Sequence, residues 1–196
     1  NFVIILIQLF FFTNLYANNI IVKDHFLQLN KNTKLYVKEK FLSLKKNEKI
    51  NKNKIIVLLP PLSIPSVEAF DVPNLSFMNV LAQEGYDVWG IDFIGQGKSS
   101  YPKVMQDKPP ANGVFPLQQQ EAVIQLKFLI DYLKKEKSVS SVYLLGWSWG
   151  AVVAASYSTQ FPNDVDKLVL AGAMHSFLLP QFTKSFMNKD NSFNLN

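Results

Sequence analysis

The sequence predicts an α/β fold with a doubly wound, mostly parallel sheet, and three observations support this prediction. Short β-branched and aliphatic runs alternate along the chain with stretches of helical period. The runs at residues 54–59 and 141–145 are dominated by apolar residues, as in strands buried on both faces of a parallel sheet. The helical stretches between such runs provide the crossovers that parallel strands require.

An antiparallel hairpin is predicted before the first parallel strand. Residues 25–30 and 34–39 have the composition of short strands, and Asn30 and Asn32 lie at the turn between them. With 196 residues, of which 48% are apolar, the chain can form one domain with a sizeable core. No linker divides it.

The elements that follow alternate between helix and strand. Residues 74–84 are predicted to form a helix that Asn74 caps and Gly85 ends. Further helices are expected at 118–137 and 151–161, and further strands at 86–91, 141–145 and 166–170. In the first of these helices, four apolar residues lie three or four apart and define the face that packs on the sheet: Val123, Leu126, Ile130 and Leu133.

The net charge of +5 arises from one segment. Residues 23–54 contain ten lysines and three carboxylates, whereas the rest of the chain has slightly more carboxylates than lysines. A solvated, lysine-rich hairpin is therefore expected. Because the chain has no arginine, which binds phosphate and guanine in bidentate fashion, no nucleic-acid partner is expected. The absence of cysteine excludes disulfides.

The N-terminus carries an apolar run over residues 2–12, interrupted by Gln8 and followed by a polar stretch containing Ala17. This run is shorter than the roughly 20 residues of a membrane span and resembles the hydrophobic region of a signal peptide. We predict a signal peptide over residues 1–17 and an exported protein, secreted or periplasmic. An uncleaved leader that contacts the membrane is the alternative, and a buried strand is less favoured because the run does not alternate.

The run Gly-Trp-Ser-Trp-Gly, from Gly146 to Gly150, lies between a predicted strand and a predicted helix. In this context Gly-x-Ser-x-Gly is a nucleophile elbow, whose serine adopts positive φ and whose glycines permit the close crossing of strand and helix. Ser148 is therefore predicted to be the catalytic nucleophile. The Trp149 N–H at the start of the helix is predicted to donate to an oxyanion. Trp147 and Trp149 could each form a binding surface or pack in the core.

Residues 54–173 resemble the α/β-hydrolase superfamily, especially its esterase-like members. Beyond the elbow, the resemblance rests on residues 87–100, which look like a family strand followed by an Asp-x-x-Gly-x-Gly-x-Ser loop. Asp92 is expected to have a structural role, accepting amide hydrogen bonds in a tight turn that Gly95 and Gly97 permit.

The resemblance also implies a second oxyanion donor in the loop after the strand at 54–59. Pro60 and Pro61 replace the family's usual His-Gly there, and the donor position falls on the N–H of Leu62. Because the two prolines restrict the loop, the oxyanion hole is expected to be either differently shaped or impaired.

A serine hydrolase of this family needs an acid and then a histidine after the nucleophile. The acids available are Asp164 and Asp166, which precede a strand and are expected at the opposite sheet edge, and Asp190, which follows no strand. His175 is two strands too early for the family pattern, and His25 is expected to be structural. We therefore expect the acid and histidine of the triad to lie outside these residues.

This pattern predicts a hydrolase sheet that ends after about its sixth strand. Residues 18–175 would form the N-terminal part of the domain, and residues 176–196 the start of a lid or connecting loop. The predicted function is a serine hydrolase for a small-molecule or lipid-like acyl substrate, with no cofactor or metal, inactive in this fragment alone. The alternatives are an acyltransferase or thioesterase on the same fold, or a non-catalytic hydrolase-fold binding protein, which the prolines slightly favour.

Overall fold

The computed structural model describes residues 20–43, 54–105 and 117–173, and most strands in these ranges join one six-stranded sheet. The strands are β1 (Ile20–Asn30), β2 (Thr33–Leu42), β3 (Ile55–Leu59), β4 (Asp71–Val72), β5 (Leu75–Ser76), β6 (Asp87–Asp92), β7 (Val142–Trp147) and β8 (Val165–Ala171). The main sheet has the order β1-β2-β6-β3-β7-β8, and β4 and β5 pair separately.

Strands β6, β3, β7 and β8 are parallel, whereas β1 and β2 form an antiparallel hairpin that joins β6 through β2. This topology confirms the predicted doubly wound sheet and its N-terminal hairpin. The carboxyl ends of the parallel strands all lie at one edge, called here the carboxyl edge; their starts define the amino edge. Ligand and active sites of such sheets form at the carboxyl edge.

The helices in the described ranges are α1 (Ser66–Phe70), α2 (Phe77–Gln83), α3 (Gln119–Lys137) and α4 (Trp149–Gln160), with short 3₁₀ turns at Lys103–Met105 and Pro162–Asp164. The sequence did not predict α1 or the small β4–β5 hairpin. Helices cover both faces of the sheet. The predicted apolar face of α3 is confirmed, since all four of its residues are at most 1% exposed.

The start of α2 corrects one prediction. Ser76 caps the helix, accepting a hydrogen bond from the Asn79 N–H at 3.0 Å. Asn74, which was predicted to be the cap, instead has a φ of 65° in the turn between β4 and β5. Asparagine tolerates the left-handed conformation that such a tight turn requires, and this use outweighed its capping tendency.

The prediction of a solvated hairpin holds for Lys23, Lys31 and Lys34, which are exposed, but not for Lys38 and Lys40. Lys40 is 7% exposed, and both Lys38 and Lys40 form ion pairs with Asp71 of β4. Burial alone would raise the pKa of Asp71, but hydrogen bonds from Lys38, Lys40 and Ser76 lower it below its ordinary value. The hairpin charge therefore holds β2 against the small β4–β5 sheet.

Within the described ranges, no helix combines the length and the apolar character needed to cross a bilayer. The predicted signal peptide at 1–17 and the predicted lid or connecting loop at 176–196 lie outside the described residues, as do residues 44–53 of the lysine-rich segment.

Candidate active site

The turn between β7 and α4 has an uncommon backbone. Ser148 has a φ of 55° and a ψ of −118°, which confirms the predicted positive φ. A Cβ on Gly146 would lie closer than 3.0 Å to the backbone of α4. A Cβ on Gly150 would come equally close to the carbonyl groups of Leu59 and Pro60. Only glycine therefore fits at these two positions, as the motif predicted.

The Ser148 hydroxyl is not used for the local structure. Ser148 occupies the N-cap position of α4, where serine ordinarily accepts a hydrogen bond from the first turn, yet its side chain makes no such bond. Its backbone is firmly held, since its N–H donates to the Ala171 carbonyl at 2.8 Å and its carbonyl accepts from the Ala151 N–H at 3.0 Å. The half-buried hydroxyl is therefore available for chemistry on a fixed backbone.

The two backbone N–H groups that the sequence assigns to an oxyanion have no acceptor among the described residues. One belongs to Trp149, the first residue of α4, and the other to Leu62 in the loop after β3. Leu59 pairs with Gly146 in the parallel register, so the loop after β3 and the elbow leave the sheet side by side. Both predicted oxyanion donors therefore remain free in the part of the chain described.

Asp92 organises the loops around the elbow, as predicted. One carboxylate oxygen accepts from the Ser66 N–H at 2.7 Å and the Ser66 hydroxyl at 2.6 Å, and the other accepts from the Lys98 N–H at 3.0 Å. Gly97 has a φ of 48°, and a Cβ there would collide with this carboxylate. Asp92 therefore ties the loop after β3 to the loop after β6, and its oxygens are already occupied.

Gln96 is a site residue that the sequence did not identify. Its side-chain Nε2 donates to the carbonyl of Leu62 and lies 3.4 Å from the carbonyl of Pro61. The available signal was a polar side chain between two glycines in the loop after β6. The contact itself joins residues 34 apart and has no local pattern.

The two elbow tryptophans have different environments. The Trp149 ring packs edge-on against Phe93 at a centroid distance of 5.6 Å and contacts the core. Trp147 is 40% exposed and meets Phe70 edge-on at 6.3 Å. Core packing therefore accounts for Trp149, whereas Trp147 provides an apolar surface directly before the nucleophile.

A cavity of about 340 Å³ opens at the carboxyl edge. It is lined largely by apolar side chains and the loop after β6, including Leu62, Ile94, Gln96, Tyr101, Met105 and Leu117. Ser148 is not among the lining residues, so the cavity reaches the oxyanion loop and not the nucleophile.

The remaining triad candidates within the described ranges lie away from Ser148. Asp164, at the start of β8, accepts hydrogen bonds from Lys134 and, at 2.7 Å, from Tyr157, which confirms its place at the opposite edge. Burial alone would raise the pKa of Asp164, but these hydrogen bonds lower it. His25 contacts Glu39 at 2.8 Å and stacks on Trp89, as a structural histidine would.

Asp166 also begins β8 at the amino edge, and His175 and Asp190 lie outside the described residues. No group of three or more His, Cys, Asp or Glu side chains converges as a metal site within the described ranges. The structure therefore places Ser148, Trp149 and the loop that contains Leu62 at the carboxyl edge, and it gives Ser148 no acid–histidine partner from the residues it describes.

Comparison with known proteins gives one family match, to the alpha/beta hydrolase fold, over residues 70–194. Among solved structures, the chain is similar to a thioesterase domain from the curacin biosynthetic pathway, with 16% identity and a TM-score of 0.57, covering 84% of this chain and 50% of that one. It is also similar to a hydrolase from Pseudomonas aeruginosa, with 20% identity, a TM-score of 0.58, and 84% and 51% coverage.

A third similar structure is a variant of an epoxide hydrolase from Vigna radiata, with 19% identity, a TM-score of 0.53, and 81% and 40% coverage. At these identities the likeness concerns the fold alone. The chain spans about half the length of the first of these structures. No protein of curated function matches the sequence.

Proposed function

Because the chain belongs to the α/β-hydrolase family, we propose that it is part of a serine hydrolase that cleaves an ester or related acyl compound through Ser148. One observation carries this proposal: the serine holds a strained positive-φ backbone and leaves its hydroxyl unused as a cap. Such backbone strain costs about 1–3 kcal/mol and concentrates at functional sites. A plain capping serine would need neither feature.

The proposed reaction has two steps. The Ser148 oxygen attacks the acyl carbon, its proton passes to a base, and the carbonyl oxygen becomes an oxyanion beside the free N–H groups of Trp149 and Leu62. Collapse expels the leaving group, which takes up the proton, and leaves an acyl ester on Ser148. Water then attacks that ester, releasing the acid and restoring the hydroxyl. The acid–histidine pair that moves the protons is assigned to residues outside the described ranges.

The nucleophile type favours acyl chemistry over epoxide opening. Attack by a serine oxygen on an acyl carbon gives an ester, which water can hydrolyse in the second step. Attack on an epoxide carbon would give an ether, which has no electrophilic carbonyl for water. Ser148 therefore supports turnover of acyl substrates, and the epoxide hydrolase similarity is carried by the fold alone.

Thioester hydrolysis and acyl transfer remain within this proposal because they use the same serine and oxyanion donors. They differ only in the leaving group or in the acceptor that replaces water. The non-catalytic alternative rested on Pro60 and Pro61, but the Leu62 N–H that follows them has no acceptor among the described residues. The prolines therefore do not remove the donor.

Fluorophosphonate labelling of the complete natural protein tests the proposal. We expect one label, on the peptide containing Ser148, in folded protein and none after denaturation. Ser148→Ala should abolish both label and hydrolysis, with a loss of at least about 10⁴-fold in kcat. Ser158→Ala is the matched control, because Ser158 lies on the same helix and its hydroxyl donates only to the Ala154 carbonyl. Folded wild-type protein that takes no label on Ser148 would contradict the proposal.

A further inference from the structure

We propose that Gln96 is a positioning residue that orients the Leu62 N–H toward the oxyanion. This inference rests on the proposed function, since it concerns the same reaction. Gln96 is 7% exposed and lies in the loop after β6, with its side-chain amide directed at the loop after β3. Its two acceptors there are the carbonyl of Pro61, which precedes the Leu62 N–H, and the carbonyl of Leu62 itself.

The geometry of the peptide unit makes this contact relevant to the oxyanion donor. The Leu62 N–H and the Pro61 carbonyl belong to one planar trans peptide and point in opposite directions. Gln96 Nε2 lies 3.4 Å from that Pro61 carbonyl and also donates to the carbonyl of Leu62 itself. Holding both carbonyls fixes the two peptide planes that flank Leu62, and thereby fixes the direction of its N–H. Hydrogen bonding at the carbonyl also polarises the N–H of the same unit.

The composition of the loop explains why an external contact is needed. Pro60 and Pro61 have no N–H, so the loop cannot anchor its first residues through its own backbone donors. Its next tether is Ser66, which the buried Asp92 carboxylate holds. Between these points, Gln96 supplies side-chain hydrogen bonds to the loop from the loop after the neighbouring strand β6.

Gln96 is itself held firmly enough to perform this role. Its N–H donates to the Phe93 carbonyl at 2.8 Å, and its carbonyl accepts from the Ser99 N–H at 3.1 Å. The flanking Gly95 and Gly97 have φ values of 89° and 48°, which the turn requires. The Gln96 side chain is therefore attached to a fixed backbone, and its hydrogen bonds hold the peptide groups around Leu62 in a fixed orientation.

The expected kinetic signature is a change in kcat with little change in KM. An oxyanion donor acts on charge that develops in the transition state, so a misdirected N–H leaves substrate binding largely intact. In Gln96→Leu the volume is kept but both hydrogen bonds are lost, and we expect kcat and the labelling rate to fall about 10- to 100-fold. Gln96→Glu keeps the shape but presents acceptor oxygens to two carbonyls, so its loss should be at least as large.

The test compares these variants with Tyr157→Phe in the complete natural protein. Tyr157 is fully buried and donates one hydrogen bond to Asp164 at 2.7 Å. Tyr157→Phe therefore removes a buried hydrogen bond away from Leu62, and it controls for a general loss of stability in the Gln96 variants. Rates are divided by the folded fraction from thermal melts. Tyr157→Phe should lower the melting temperature and keep wild-type kcat per folded molecule.

The outcomes separate this inference from the proposed function. Wild-type labelling on Ser148 with slow labelling of both Gln96 variants supports the inference. Normal labelling and kcat per folded molecule in Gln96→Leu overturns the positioning role while the proposed function stands. A fall in kcat together with a rise in KM also overturns the positioning role, because that pattern indicates a damaged binding site. Absence of wild-type labelling refutes the proposed function, and this inference with it.

Discussion

The two edges of the main sheet differ in the polar groups that they hold. At the carboxyl edge, the Ser148 hydroxyl makes no cap hydrogen bond, and the N–H groups of Trp149 and Leu62 have no acceptor among the described residues. At the amino edge, charged side chains pair densely with one another. Lys137 contacts both Glu39 and Asp87, and Glu39 also contacts His25.

In the amino-edge cluster the two carboxylates are buried, and three side chains have shifted pKa values. Burial raises the pKa of Asp87 above its ordinary value, although Lys137 opposes this shift. Burial alone would also raise the pKa of Glu39, but hydrogen bonds from Lys137 and His25 lower it. Burial would lower the pKa of Lys137, and its two carboxylate partners raise it instead.

Perturbed pKa values often mark catalytic sites, and by that criterion the amino edge would be chosen. Its charged groups pair with one another, however, and they join the hairpin, β6 and α3 at the edge where such folds do not place ligands. At the carboxyl edge, the Ser148 hydroxyl instead makes no cap hydrogen bond although its backbone is firmly held.

The largest expected contrast comes from Gly150→Ala. The new Cβ would meet the carbonyls of Leu59 and Pro60, so we expect a loss of about 2–3 kcal/mol in unfolding free energy and loss of Ser148 labelling. Gly85→Ala is the control: Gly85 has a φ of 82° with no atom within 4 Å of an added Cβ, and should lose about 1 kcal/mol with labelling intact. Denaturant titration and labelling measure both. If both variants lost the same unfolding free energy and the same labelling, the close crossing of strand and helix at the elbow would not require glycine.

A smaller stability effect, without an effect on labelling, is expected for Lys137→Met. The change leaves Glu39 and Asp87, which are 1% and 5% exposed, without their shared cation. Because Lys137 itself is partly exposed, solvent screens its two ion pairs, and we expect a loss of about 1–2 kcal/mol in unfolding free energy. Lys135→Met is the matched control on α3, since Lys135 is exposed and its replacement should cost at most about 0.5 kcal/mol. A Lys137 variant with normal stability but slow labelling would reverse the roles assigned to the two edges.

The smallest expected effect is on the pH dependence of stability, and it has opposite signs for the two carboxylates. The lowered pKa of Glu39 stabilises the fold above its unfolded value of about 4.3, and this contribution is lost as the pH falls through the folded pKa. Glu39→Gln should therefore flatten the acid loss of unfolding free energy. The raised pKa of Asp87 contributes stability that is complete below about pH 3.9 and lost as the pH rises through its folded pKa.

Asp87→Asn should accordingly steepen the acid loss that Glu39→Gln flattens. Urea titrations from pH 3 to pH 6 would measure both slopes, with labelling at neutral pH as the activity control. Slopes that change in the same direction would show that the two carboxylates do not share Lys137 in the way the contacts indicate.

Local sequence patterns predicted the elements that neighbouring residues specify. The positive φ at Ser148 followed from Gly-x-Ser-x-Gly between a strand and a helix, and the buried face of α3 followed from its period. The structural role of Asp92 followed from the glycines in its own loop. The prediction that Asn74 caps α2 was wrong. Asparagine suits both a helix cap and a tight turn, and only the pairing of β4 with β5 selects the turn.

The sequence by itself therefore determined the fold class, the nucleophile elbow and its candidate serine, because backbone geometry and periodicity are encoded over a few adjacent residues. Only the tertiary structure decided which polar groups are paired. It places Gln96 on the carbonyls around Leu62 and Lys137 on Glu39, residues 34 and 98 apart respectively. Such contacts depend on the strand order of the sheet, which brings distant chain segments to one edge and leaves no trace in either segment alone.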